Sequence, residues 1–197
     1  MVGLFGGTFD PVHMAHLRLA EEAREEFNLE RVLFIPAAIP PHKSGWGISP
    51  FQDRYEMVRL AVAGNPAFEA SDLEAGRSGS SYSVDTVREL KARWPDLAFL
   101  MGADQFLEIR TWKDPRELFA LCRVIVFERP GFDLADTERM GPEIRALNYL
   151  RARTGLYSVS SSDIRGRMRA GKSLRYLVPE PVQEYILAHG LYKKGEP

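Results

Sequence analysis

Residues 6–16 read Gly-Gly-Thr-Phe-Asp-Pro-Val-His-Met-Ala-His. A short apolar run, Met1 to Phe5, precedes them and suffices for one buried strand. A helical pattern follows, with Leu17, Ala20, Ala23 and Phe27 spaced by charged residues. A glycine turn thus joins a first strand to a first helix, and His13 and His16 open that helix. Unpaired N–H groups at a helix start attract anions, and the glycines let a phosphate come close. Imidazoles three residues apart lie on one helix face, so both can meet the same phosphate. An HxxH pair can also serve a metal, but zinc asks for three or four ligands, and only His42 and Asp10 stand nearby. The run predicts a phosphate-chemistry site at the amino terminus.

Further strand-like runs fall at Arg31–Ile35, Ala98–Met101, Val124–Glu128 and Leu156–Val159, with a weaker one at Phe68–Ala70. Helical patterns cover His13–Phe27, Phe51–Ala63, Ser83–Arg93 and roughly Thr137–Arg151. Ser49-Pro50 reads as a helix start with proline in the first turn. Strands alternating with helices predict an α/β fold: a Rossmann-like, doubly wound parallel sheet with helices on both faces. Right-handed crossovers put the strand carboxyl ends on one edge, where ligands bind at the switch point. The Gly6 turn, Gly102-Ala103-Asp104 and Ser160–Ser162 each read as directly following a strand, so three distant segments meet in one cleft. Two short helices, Ser162–Ala170 and Pro181–Ala188, form a helical C-terminal part over about 160–197, with Ser161 as a cap and Gly171 and Gly190 at the helix ends. The stretch 36–50, rich in proline and glycine, reads as a long functional loop.

The 197 residues suit a single domain over 1–197. With 26 basic against 27 acidic residues, the chain carries no electrostatic footprint for nucleic acid. The lone Cys122 excludes an internal disulfide framework and suits a reducing cytoplasm. No apolar run reaches bilayer length, and the amino terminus lacks the features of a signal peptide. Residues 166–173 match the P-loop pattern GxxxxGK[ST], but Gly166 falls inside a predicted helix, with no strand before it and no long helix after Lys172.

The 6–16 run resembles the GGTFDPxHxGH signature of the nucleotidyltransferase superfamily, with Ala15 where glycine is usual. The blocks Pro40–Lys43, Ser81–Thr86, Gly102–Gln105, Trp112-Lys113, Arg129–Gly131 and Ser160–Arg165 extend the resemblance along the chain. They make it similar to the bacterial nicotinate-nucleotide adenylyltransferase family. The resemblance implies transfer of AMP from ATP to nicotinate mononucleotide, giving the dinucleotide and pyrophosphate in NAD biosynthesis. Another small-molecule nucleotidyltransferase, such as the phosphopantetheine branch, is the alternative. His13, His16, Lys43 and Arg165 are the implied catalytic residues. Gly6, Gly7, Thr8, Phe9, Gly102, Asp104 and Ser160, Ser161 and Ser162 would complete the ATP site. Lys43, Thr86, Asp104, Trp112 and Arg129 would hold the acceptor, with Thr86 donating to its carboxylate. Mg2+ would arrive with ATP, held by phosphates and water rather than by protein ligands. The implied partners are ATP and the mononucleotide, with neither nucleic acid nor membrane; a homo-oligomer is left open.

Overall fold

The computed structural model describes residues 1–41, 47–128, 131, 146–155 and 157–193. Six strands form one sheet: β1 Val2–Gly7, β2 Arg31–Pro36, β3 Phe68–Ala70, β4 Leu97–Gly102, β5 Arg123–Phe127 and β6 Tyr149–Ala152. Their order is β3-β2-β1-β4-β5-β6, and every pairing is parallel. This is the doubly wound order, with its switch point where β1 lies between β2 and β4. Among the described residues the helices are α1 Met14–Glu26, α2 Phe51–Val62, α3 Ser83–Lys91, α4 Ala103–Leu107, α5 Pro115–Leu121, α6 Ser161–Arg169 and α7 Glu180–Ala188, with a 3-10 turn at Ile109–Thr111. Among the described residues, no helix is long and apolar enough to cross a membrane.

Side-chain alternation along the strands divides the core in two. Phe5, Phe34, Leu100, Ile125 and Phe127 face α1, α2, α6 and α7. Leu4, Leu33, Phe99, Met101 and Val126 face α3, α4 and α5. Both faces of the sheet are therefore covered, which is why its strands read as nearly continuous apolar runs. The C-terminal helices join the first cluster through Ile164, Val182 and Ile186.

Several local expectations are corrected. The last strand is Tyr149–Ala152, not Leu156–Val159. Residues 137–145 of the expected helix lie outside the described residues, and the chain after them turns and enters β6. An edge strand tolerates charge on its exposed side, and Arg151 there pairs with Glu128 of the neighbouring segment; this mimicked a polar helix face. Ser160–Ser162 consequently does not leave a strand directly but follows a stretch without regular structure. The cap of α6 is Ser160, whose Oγ accepts from the Asp163 N–H at 3.1 Å, and Pro50 caps α2 rather than opening its first turn. The P-loop match forms no phosphate loop: Gly166 is helical, Gly171 ends α6 with φ +65°, and Lys172 is exposed.

Candidate active site

A cleft of about 490 Å³ opens at the carboxyl edge of the sheet, astride the switch point. Gly6 and Gly7 form its floor. A Cβ on Gly7 would come within 3.0 Å of the Phe9 ring, and one on Gly6 within 3.3 Å of Phe99, so any larger residue would push these rings aside. Thr8 and Phe9 continue the turn, and Phe9 takes a φ of +48° that places its ring edge-on to His16, 5.0 Å between centroids.

His13 caps α1 with extended backbone, and its ring stacks on His16 with centroids 3.6 Å apart. His16 Nδ1 accepts the His13 backbone N–H at 3.2 Å. That bond places the proton of the neutral ring on Nε2. Opposite, α6 brings Ser160, Ser161, Ser162 and Arg165 to the same cleft. Ser161 Oγ donates to the Pro11 carbonyl at 2.9 Å, and Arg165 Nη1 donates to the Asp10 carbonyl at 2.7 Å. Helix α6 is thereby tied to the signature turn. Two helix amino termini, with their oriented N–H groups, converge on one volume.

The other half of the cleft lies on the α3–α5 side of β1. Gly102 ends β4, its N–H donating to Gln105 Oε1 at 3.1 Å, and Asp104 stands beside it on the wall. Trp112 presents a half-buried indole, edge-on to Phe99 at 6.0 Å. Ser83, the first residue of α3, also reaches the cleft. Thr86 does not: it is buried, donates its hydroxyl proton to Glu74 Oε1 at 2.6 Å, and receives Arg77 Nη1 at 2.8 Å. Glu74, not Thr86, stands on the wall at that point. Lys43 and Arg129 lie outside the described residues.

Sequence reasoning missed the groups that hold this site together. Arg54 of α2 is 1% exposed, and its guanidinium donates to the carbonyls of Thr8 (2.9 Å), Ser49 (2.9 Å) and Ala38 (3.3 Å). It joins the signature turn to both sides of the proline-rich stretch. Burial pushes the guanidinium below its ordinary pKa, and Asp10 opposes the shift. The signal was present in the spacing: Arg54 lies on the apolar stripe of Met57, Val58 and Val62. Asp10 is 3% exposed and accepts from the Tyr192 hydroxyl at 2.6 Å and the Ser49 N–H at 3.3 Å. Tyr157, on the cleft rim, donates to Glu22 Oε1 of α1 at 2.7 Å.

Stacked imidazoles at one helix start, a hydroxyl- and arginine-bearing helix start facing them, and an aromatic half-cleft beyond β1 suit a nucleotide phosphate chain beside a second flat ligand. The model of cytidylyltransferase-like proteins matches residues 4–167, and this is the class that the sheet and cleft define. A protein of Citrifermentans bemidjiense named "Probable nicotinate-nucleotide adenylyltransferase" is 47% identical, covering 97% of both chains. One of the same name from Geobacter sulfurreducens is 48% identical over 96% of this chain and 97% of its own. The chain belongs to the nicotinate-nucleotide adenylyltransferase family and is an enzyme. A solved structure of Plasmodium falciparum nicotinic acid mononucleotide adenylyltransferase complexed with NaAD shares the fold, with a TM-score of 0.79 at 19% identity over 97% of this chain and 96% of that one.

Proposed function

We propose that the cleft transfers AMP from ATP to the phosphate of nicotinate mononucleotide, releasing pyrophosphate. An oxygen of the mononucleotide phosphate attacks the α-phosphorus of ATP, and the bond from that phosphorus to the bridging oxygen of the β-phosphate breaks. The attacking monoester is already largely ionised at neutral pH, so no protein base is needed. The task is to hold two anions together in line and to stabilise the charge that grows on the leaving pyrophosphate. The observation that carries this reading is the convergence of the α1 and α6 amino termini on one volume, with the stacked His13 and His16 facing Ser160–Ser162 and Arg165.

His13 and His16 donate to the phosphates, and Arg165 grips the terminal ones with a charge-assisted fork. Gly6, Gly7, Thr8 and Phe9 shape the turn under the triphosphate, and Gly102 and Asp104 border the ribose. Lys43 meets the phosphates where the substrates join and Arg129 approaches the mononucleotide phosphate; both assignments rest on the motif. Trp112 stacks on the pyridine ring. The first turn of α3, which carries N–H groups without helical partners, receives the nicotinate carboxylate at Ser83. Thr86 then serves by fixing that turn through Glu74.

Among the described residues, no group of three or more His, Cys, Asp or Glu side chains is arranged to hold a metal. A magnesium ion arriving with ATP would be held mainly by phosphate oxygens and water and would supply charge neutralisation at the triphosphate. The lone cysteine supports a cytoplasmic setting. The test is pyrophosphate release on mixing the protein with ATP and nicotinate mononucleotide. Release that requires the mononucleotide supports the reading; release without it, or none, contradicts it.

A further inference from the structure

The signature turn does not support itself. Three of its carbonyls are gripped from two distant helices: Thr8 O by Arg54 of α2, and Asp10 O and Pro11 O by Arg165 and Ser161 of α6. The fourth hold acts on the Asp10 side chain and comes from Tyr192, beyond the 4–167 span that the family model covers. Tyr192 is 5% exposed, and Leu191 and Tyr192 close the first core cluster after α7. A buried tyrosine hydroxyl normally finds a partner, and here that partner is a carboxylate with only 3% exposure, 2.6 Å away. Burial and the Asp10 charge push the Tyr192 hydroxyl well above the ordinary range of a phenol, so it remains a donor.

We propose that Tyr192 is a positioning residue for the transfer reaction, acting through Asp10 on the two groups that face the triphosphate. The Asp10 carbonyl is the rest for Arg165 Nη1. The preceding residue, Phe9, packs its ring against His16, and the turn then delivers His13 to the cap of α1. Removing one hydroxyl leaves every phosphate-facing side chain in place but frees the turn that aligns them. Small misplacements at a reacting centre cost rate more than they cost binding at a distance. The acceptor half of the cleft is built on β4 and α3 and does not depend on Asp10. This inference rests on the reading that His16 and Arg165 face ATP.

The test is Tyr192→Phe in the full chain, measured for kcat and for the KM of each substrate, with thermal unfolding alongside. The expected result is a kcat lower by about tenfold, with the KM for nicotinate mononucleotide within about twofold of the parent. Asp10→Asn gives a second entry to the same contact: it lowers kcat comparably, and adding Tyr192→Phe to it then costs less than about twofold more, because the shared bond is already weakened. A Tyr192→Phe variant that melts earlier but keeps the parent kcat shows a purely structural hydroxyl and overturns the proposal, as do fully multiplicative effects of the two substitutions. A parent chain that does not transfer AMP overturns the functional reading, and this inference with it. Transfer by the parent with an unaffected Tyr192 variant overturns this inference alone.

Discussion

Replacing Arg54 by leucine should destabilise the protein by about 3 kcal/mol, and the number follows from what the guanidinium holds. The substitution leaves three carbonyl groups, those of Thr8, Ala38 and Ser49, without their donor. An acceptor stranded away from water costs about 1–3 kcal/mol. All three residues are half-buried, so the low end applies, roughly 1 kcal/mol each. Two further effects oppose one another. The buried guanidinium no longer has to be desolvated, which returns some free energy. The turn at Thr8 and the chain at Ala38 and Ser49 also lose their common tie, which removes some. For a chain of this size a loss of 1 kcal/mol lowers the melting temperature by about 2–4 °C, so a fall of roughly 6–12 °C is expected. Thermal unfolding followed by circular dichroism measures it. Arg54→Lys should fall between, since a compact ammonium cannot span three carbonyls in different directions. A fall below about 3 °C for the leucine variant would refute the view that this buried arginine ties the turn to the proline-rich stretch.

Other substitutions separate the chemistry from the frame. His16→Ala should keep the fold by circular dichroism and lower turnover by about 10²–10³, the usual cost of losing one electrostatic partner of a transition state; near-parental turnover would contradict its role. Arg165→Ala should raise the KM for ATP and cut turnover strongly, whereas Lys172→Ala, exposed past the end of α6, should stay within about twofold. The reverse ranking would move the triphosphate to the P-loop-like segment. Burial pushes the Cys122 thiol from its ordinary value of 9.0 up to about 12, so iodoacetamide at pH 8 should modify the chain only after denaturation. The neutral thiol is the form the fold favours, so its contribution to stability is complete below pH 9 and is lost as pH rises toward 12. A Cys122→Ala variant should lose less stability than the parent across that window in alkaline titrations of unfolding.

Much of the fold was legible because strands buried on both faces leave continuous apolar runs, and α1, α2 and α3 carry clear helical stripes. The strand order was not legible residue by residue, since parallel neighbours are chosen by tertiary packing. Helices α4 and α5 span five and seven residues, too few for a period to show. The start of strand β6 reads as the end of a helix because Arg151, exposed on the sheet edge, fits the polar pattern of a helix surface. In the cleft, the residues at strand ends and helix starts are those that glycine turns and caps mark in the sequence. The Arg54, Asp10 and Tyr192 network was not, because each is a single residue whose partner is distant in sequence, and an arginine within a helix reads as solvent-facing unless its place on the apolar stripe is noticed. The Ser81–Thr86 block implies Thr86 as a ligand donor; in the fold its hydroxyl faces Glu74, and Ser83 lines the cleft.

The central claim is that this cleft adenylylates the nicotinate form of the mononucleotide, its carboxylate held at the amino end of α3. The most direct measurement is a competition: limiting ATP with equimolar nicotinate and nicotinamide mononucleotides, and the two dinucleotide products quantified by chromatography. A helix start favours an anion over a neutral amide, so the deamido product should predominate by about tenfold, a difference of roughly 1.4 kcal/mol in transition-state binding. Equal amounts of the two products, or an excess of the amide product, would contradict the account.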